Sequence, residues 1–228
     1  MQRYHTSSST LRLAISLLVL LVSLGAGAQG AFKYQRDTIP FFRGFAVSVD
    51  LAGIGQQVFS DRGQFEAALR LNLHDQYFPI FELGYGRANH EDDEATHLTY
   101  KTGAPYFRVG VDVNIMKKKH TGNRVFAGLR YGFTSYKMDV SRKAFPDPVW
   151  GWSTLYESTG NSCSQHWAEV LLGLDAKVYG PLHVGWSVRY RLRLAHKEGD
   201  IGTSWYVPGF GVQDTKNLGL GFYAAIDI

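Results

Sequence analysis

Val184-Gly185-Trp186-Ser187-Val188-Arg189-Tyr190-Arg191-Leu192-Arg193-Leu194 is written at a period of two. Val184, Trp186, Val188, Tyr190, Leu192 and Leu194 share one face; Gly185, Ser187, Arg189, Arg191 and Arg193 share the other. Successive side chains of a β-strand point to opposite sides of its sheet, so the stretch reads as a strand. The end of the chain repeats the pattern, with Leu218, Leu220, Phe222, Ala224, Ile226 and Ile228 set against Gly219, Gly221, Tyr223, Ala225 and Asp227. A face made only of apolar side chains needs hydrocarbon, and arginines in a row on the opposite face need water or carboxylates. Greasy outside and wet inside is the signature of a transmembrane β-barrel.

Six more strands are read upstream: 44–52, 63–73, 80–87, 105–115, 124–136 and 165–179. Most approach the ~9–11 residues that a tilted strand needs to cross the hydrocarbon. The connections sort by parity. Those at 74–79, 116–123 and 180–181 are short; those at 88–104, 137–164 and 195–217 are long, and 53–62 is intermediate. Short turns on one side and long loops on the other predict an antiparallel, up-and-down barrel of eight strands, with both termini in the periplasm and the long loops outside the cell. Aromatics near strand ends are expected to form the interfacial girdles: Tyr85, Tyr106, Phe133, Tyr136 and Trp167 outside, Tyr77, Phe78 and Tyr179 inside.

The first residues read as an export signal. Arg3 and Arg12 precede an apolar run from Leu13 to Leu24, and Ala26-Gly27-Ala28 is a small-x-small cleavage pattern. Domains are expected as 1–28 signal peptide, 29–43 periplasmic segment and 44–228 barrel. Loss of Arg3 and Arg12 lowers the formal charge from +4 to +2, which speaks against a nucleic-acid partner. The mean hydropathy of −0.17 is no objection to a membrane barrel, because half of each strand is polar. One cysteine, Cys163, excludes an internal disulfide.

An eight-stranded barrel is barely wider than its own side chains. The inward acids are Asp50, Glu66, Glu82, Asp112, Glu169, Asp175 and Asp227; the inward bases are Arg70, Arg108, Arg130, Lys177, Arg189, Arg191 and Arg193. Equal numbers predict a mutually paired charge network that plugs the lumen, because unpaired buried charge is expensive. In the long loops, Trp150, Trp152, Tyr156, Trp205, Tyr206 and Phe210 are the candidates for binding a ligand or partner, or for folding down over the barrel mouth.

Other constellations are weaker. His90-Glu91-Asp92-Asp93-Glu94 with His97 lacks the ligand spacing of a cation loop, so no metal site is expected. Lys117-Lys118-Lys119-His120 reads as a solvated basic turn. Ser164, His166 and Glu157 crowd the outer rim without a nucleophile elbow.

Tyr106-Phe107-Arg108-Val109-Gly110-Val111-Asp112 and Ala127-Gly128-Leu129-Arg130-Tyr131-Gly132-Phe133 resemble small outer-membrane barrels of the OmpA-transmembrane-domain and OmpX type, and an uncharacterised barrel family of Bacteroidetes-type outer membranes. The resemblance implies an outer-membrane barrel with no cofactor and no attached periplasmic domain, and it carries over no functional residue; a monomer surrounded by lipid and lipopolysaccharide is expected. The leading functional reading is a non-enzymatic barrel acting through its outer loops in a structural, adhesive or partner-binding role. Two alternatives stand beside it: a rim-site enzyme on lipid A or peptide, and a secreted lipocalin-like carrier of an apolar ligand.

Overall fold

A computed structural model describes residues 39–91, 97–146 and 153–228. The stretch read as an export signal, 1–28, lies outside the described residues. The barrel strands are β1 (Phe42–Asp50), β2 (Arg62–Leu73), β3 (Tyr77–His90), β4 (Leu98–Asn114), β5 (Arg124–Pro146), β6 (Ser153–Tyr179), β7 (Leu182–Lys197) and β10 (Lys216–Asp227). A helix, α1 (Leu51–Phe59), follows β1, and a two-stranded hairpin, β8 (Tyr206–Val207) with β9 (Gly211–Val212), lies between β7 and β10. The strands close in the order β1-β10-β7-β6-β5-β4-β3-β2, every neighbouring pair antiparallel. The architecture is the eight-stranded up-and-down barrel that the alternation predicts. Among the described residues no helix is long and apolar enough to cross a membrane.

The apolar face points out. Leu83, Phe107 and Leu172 are each more than half exposed, and Leu218 and Leu220 reach 68% and 75%. The polar face points in: Glu66, Arg70, Glu82, Arg108, Asp112, Arg130, Glu169 and Asp175 are buried. This arrangement inverts that of a water-soluble barrel and suits a hydrocarbon surround.

Three readings of the strands need correction. The long loops are partly ladder: β5 and β6 stay paired beyond Tyr136↔Cys163 through Met138↔Asn161 to Pro146↔Ser153, with two register shifts, and β3 and β4 pair up to His90↔Tyr100. These extensions project past the apolar belt, so the sequence there loses its oil-facing alternation while keeping its backbone pairing. The stretch after β1 is the helix α1, whose amino end is capped by Asp50: its carboxylate accepts from Ala52 N (3.2 Å) and Gly53 N (3.1 Å). Finally, Tyr106, Tyr136, Trp167 and Phe78 are not girdle residues. All four are buried, because the period of two places them on the lumen side.

Small residues make room for these rings. A Cβ at Gly132 would collide with the Trp167 ring, and one at Gly84 with that of Tyr106. Between β2 and β3, His74 and Asp75 both take positive φ (59° and 53°), and Gln76 N–H returns to Leu73 O at 3.1 Å. Positive φ at both central residues is the turn form whose twist matches that of the strands.

Candidate functional site

The lumen is filled by ion pairs at two levels. At the upper level Arg108, on β4, is the hub. Its Nη1 donates to Glu66 (2.5 Å) and Glu82 (3.0 Å), and its Nε lies 2.9 Å from Glu169. Arg130, on β5, donates to Glu82 (2.8 Å) and grips Asp112 with both Nη atoms (2.6 and 3.1 Å), the bidentate geometry that guanidinium groups favour. From β7, Arg189 reaches Glu66 (3.2 Å) and Glu82 (3.1 Å), and Arg191 lies 3.3 Å from Glu169. Trp167 and Tyr106 complete this level by donating to Glu169 (2.7 Å) and Glu66 (2.8 Å).

At the lower level Arg70 pairs with Asp175 (3.1 Å) and Asp112 (3.5 Å), and Tyr223 donates to Asp175 (3.1 Å). His183 lies between Asp175 (2.7 Å) and Asp227 (3.2 Å), and Arg124 closes on Asp227 at 2.7 Å. Six guanidinium groups thus meet six carboxylates. The membership differs in part from the sequence expectation. Lys177 is exposed at the inner end of β6, where its flexible stem reaches water. Arg193 makes no ion pair among the described residues. Asp50 serves α1 instead. Arg124 and His183 enter in their stead. Both face inward, but Arg124 opens its strand and His183 carries no formal charge, so a count of inward charges omits them.

The polypeptide between β7 and β10 closes the mouth from above. Tyr206, Val207, Pro208, Gly209 and Phe210 are buried. Arg108 Nη2 donates to Gly209 O (2.7 Å), Arg191 Nη1 to Phe210 O (2.8 Å), and Tyr100 OH to Tyr206 O (2.9 Å). Phe210 meets Trp167 edge-on at 5.9 Å, and Tyr136 OH bonds to Ser204 Oγ. The lumen arginines therefore satisfy plug carbonyls as well as carboxylates. Burial pushes the Tyr206 phenol above its ordinary value, against opposing nearby arginine charge.

The loop candidates separate accordingly. Tyr206 and Phe210 belong to the plug. Tyr156 and Trp205 stay partly exposed, Trp205 being stacked on His90 at 5.0 Å with Arg62 over its ring at 5.7 Å. Trp150 and Trp152 lie outside the described residues. At the rim, His166 is engaged by the Tyr131 hydroxyl at 2.6 Å, and no hydrogen bond joins Ser164, His166 and Glu157 among the described residues. Nor do the described residues hold a cluster of three or more metal-ligating side chains. Cys163 is buried behind the plug.

Little space is left between the ion pairs. Two cavities inside the barrel, one bordered by Glu66, Glu82 and Arg130 and one by Arg43, Arg124 and Asp227, measure about 20 Å³ each, room for roughly one water apiece.

The family described as "Domain of unknown function (DUF6048)" matches residues 10–227. The chain belongs to this family. No curated protein matches it. Among solved structures, this DUF6048 chain is similar to a major outer membrane protein from Thermus thermophilus, at 15% identity over 82% of this chain and 100% of that one, with a TM-score of 0.43. It is similar to Acinetobacter baumannii CarO at 13% identity, covering 85% and 100%, TM-score 0.39. It is also similar to Ail, the attachment invasion locus protein of Yersinia pestis, solved with the heparin analogue sucrose octasulfate, at 12% identity, covering 81% and 93%, TM-score 0.36.

Proposed function

We propose that the protein is a non-enzymatic outer-membrane barrel with a sealed lumen, exported by its amino-terminal signal and acting through the surface that its long connections present outside the cell. The observation that carries this reading is the filled interior: six arginines neutralised by six carboxylates, roofed by a plug whose carbonyls those arginines hold. A solute path would have to break several buried ion pairs at once, and each unpaired charge left behind would be strongly destabilising. The role that remains is structural, adhesive or partner-binding, through the β5–β6 hairpin and its aromatics, Tyr156, Trp150 and Trp152 among them.

Planar-bilayer recording tests the seal. Reconstituted protein is expected to show no stable conductance; regular unitary steps would overturn the reading. Pulldown from solubilised envelope, with and without residues 137–164, tests the outer surface. A partner lost on deletion supports it, and an unchanged partner set counts against it.

A further inference from the structure

On its outer half, between β10 and β2, the barrel wall loses its strand ladder, and α1 packs against both edges instead. β1 pairs with β10 only from Ala46↔Asp227 to Asp50↔Tyr223, then leaves the sheet as α1. Above Tyr223, β10 continues to Lys216 with β7 as its sole strand neighbour, and β2 continues above Ala67 to Arg62 with only β3. The reciprocal bonds between Phe45 and Ile228 (3.0 and 2.7 Å) set the phase of the ladder. By its alternation, the N–H and C=O of Leu218, Leu220 and Phe222 point into the vacated side. No backbone hydrogen bond joins that edge to α1 among the described residues. An unpaired edge against lipid is strongly unfavourable, so a barrel would keep such a breach only where something else meets it.

A cavity of about 480 Å³ passes through the breach. Its lining includes the inward-facing Gln64, Arg191 and Gly219 and the outward-facing Leu218 and Leu220, so it runs from beneath the plug to the lipid-facing surface. No carboxylate lines it; of its two cationic lining residues, Arg191 faces Glu169 on its far side at 3.3 Å and Arg62 stacks over Trp205. Arg62 forms no ion pair among the described residues, and a Cβ at Gly219 would lie 3.0 Å from Arg191 Nη2. One end is apolar and the other presents guanidinium forks and amides, the complement of an anionic head on an alkyl chain.

Resting on the reading that the barrel spans a membrane, we propose that this breach is a lateral portal and that the cavity binds one anionic amphiphile, a phosphate-class head on a single alkyl chain. The head sits between Arg62 and Arg191, and the chain leaves over Leu218 and Leu220 toward the membrane. α1, fastened by Asp50, stands as the post of the portal.

Native mass spectrometry of the full mature barrel, released from a neutral detergent, tests this. Dodecyl phosphate is expected to add saturably at one per barrel, with inorganic phosphate or dodecanol at least ten-fold weaker. Arg62→Gln should weaken the adduct ten-fold or more. Gln56→Trp, at an exposed position of α1 that lines the cavity, should abolish it while the barrel keeps its heat-modifiable gel mobility. Lysophosphatidylglycerol carried through extraction from phosphatidylcholine vesicles would mark a bilayer source, and uptake of dodecyl phosphate from water alone a free amphiphile. Equal adducts in wild type, Arg62→Gln and Gln56→Trp would overturn the proposal. Failure to insert into vesicles at all would instead overturn the membrane reading.

Discussion

Arg108 shows what one inward residue has to do. Its side chain is fully buried and faces Glu66, Glu82 and Glu169 at once. Replacing it with Met keeps the bulk but removes one buried guanidinium from three carboxylates, leaving them to Arg130, Arg189 and Arg191, so Arg108→Met is expected to cost about 3–5 kcal/mol, read as a lower urea midpoint for unfolding from vesicles. At the inner rim, in the turn beyond the spanning strands, Asp75 is the counterpart. Burial alone would raise its carboxyl above the ordinary 3.8, but hydrogen bonds from His120 and Asn72 and the charge of Arg43 outweigh this and hold it lower. A carboxyl that titrates lower when folded adds stability above its unfolded pKa and loses it as pH falls through the folded value. His120→Ala should therefore move the Asp75 titration, followed by carboxyl NMR, back up toward 3.8. An unmoved midpoint would show that the 2.7 Å contact does not stabilise the turn. Residue parity was legible in the alternation. Which carboxylate each arginine meets was not, because partners such as Arg70 and Asp175 lie 105 positions apart.

At the scale of elements, α1 is what the sequence reading missed. Residues 51–59 contain two glycines and two glutamines, poor material for an isolated helix, and the opening Leu51-Ala52 continues the strand pattern of β1 without a break. The available signal was Asp50, a cap residue immediately ahead of the segment. Asp50→Ala is expected to cost about 1 kcal/mol and to raise amide exchange in α1 while the β1–β2 ladder stays protected. Uniform loss of protection would mean that the cap holds the wall as well. The hairpin of β5 and β6 was half legible. Its oil-facing part alternates cleanly, whereas its outer part relies on backbone pairing and on Asp139 accepting from Gly160 N at 2.7 Å, neither of which leaves a hydrophobic period.

For the whole molecule, the exposed coat implies an asymmetry in substitution. Leu172, 58% exposed on the wall, would be a harmless site for arginine on a water-soluble surface. In a bilayer, Leu172→Arg is expected to cost about 2–4 kcal/mol, measured by guanidinium unfolding from vesicles. No change in stability there would contradict the inverted architecture.

The order of the strands, their faces, their number and the sides of the short and long connections follow from the chain alone, because a period of two and the placement of turn residues are local properties written into neighbouring positions. Closure decided the rest. Only when β1 met β10 did six guanidinium groups find six carboxylates, did the segment carrying Tyr206 and Phe210 become a stopper instead of an outer surface, and did the shortness of β1 leave a gap in the strand ladder. Those outcomes depend on distances across a barrel, and no stretch of sequence records them.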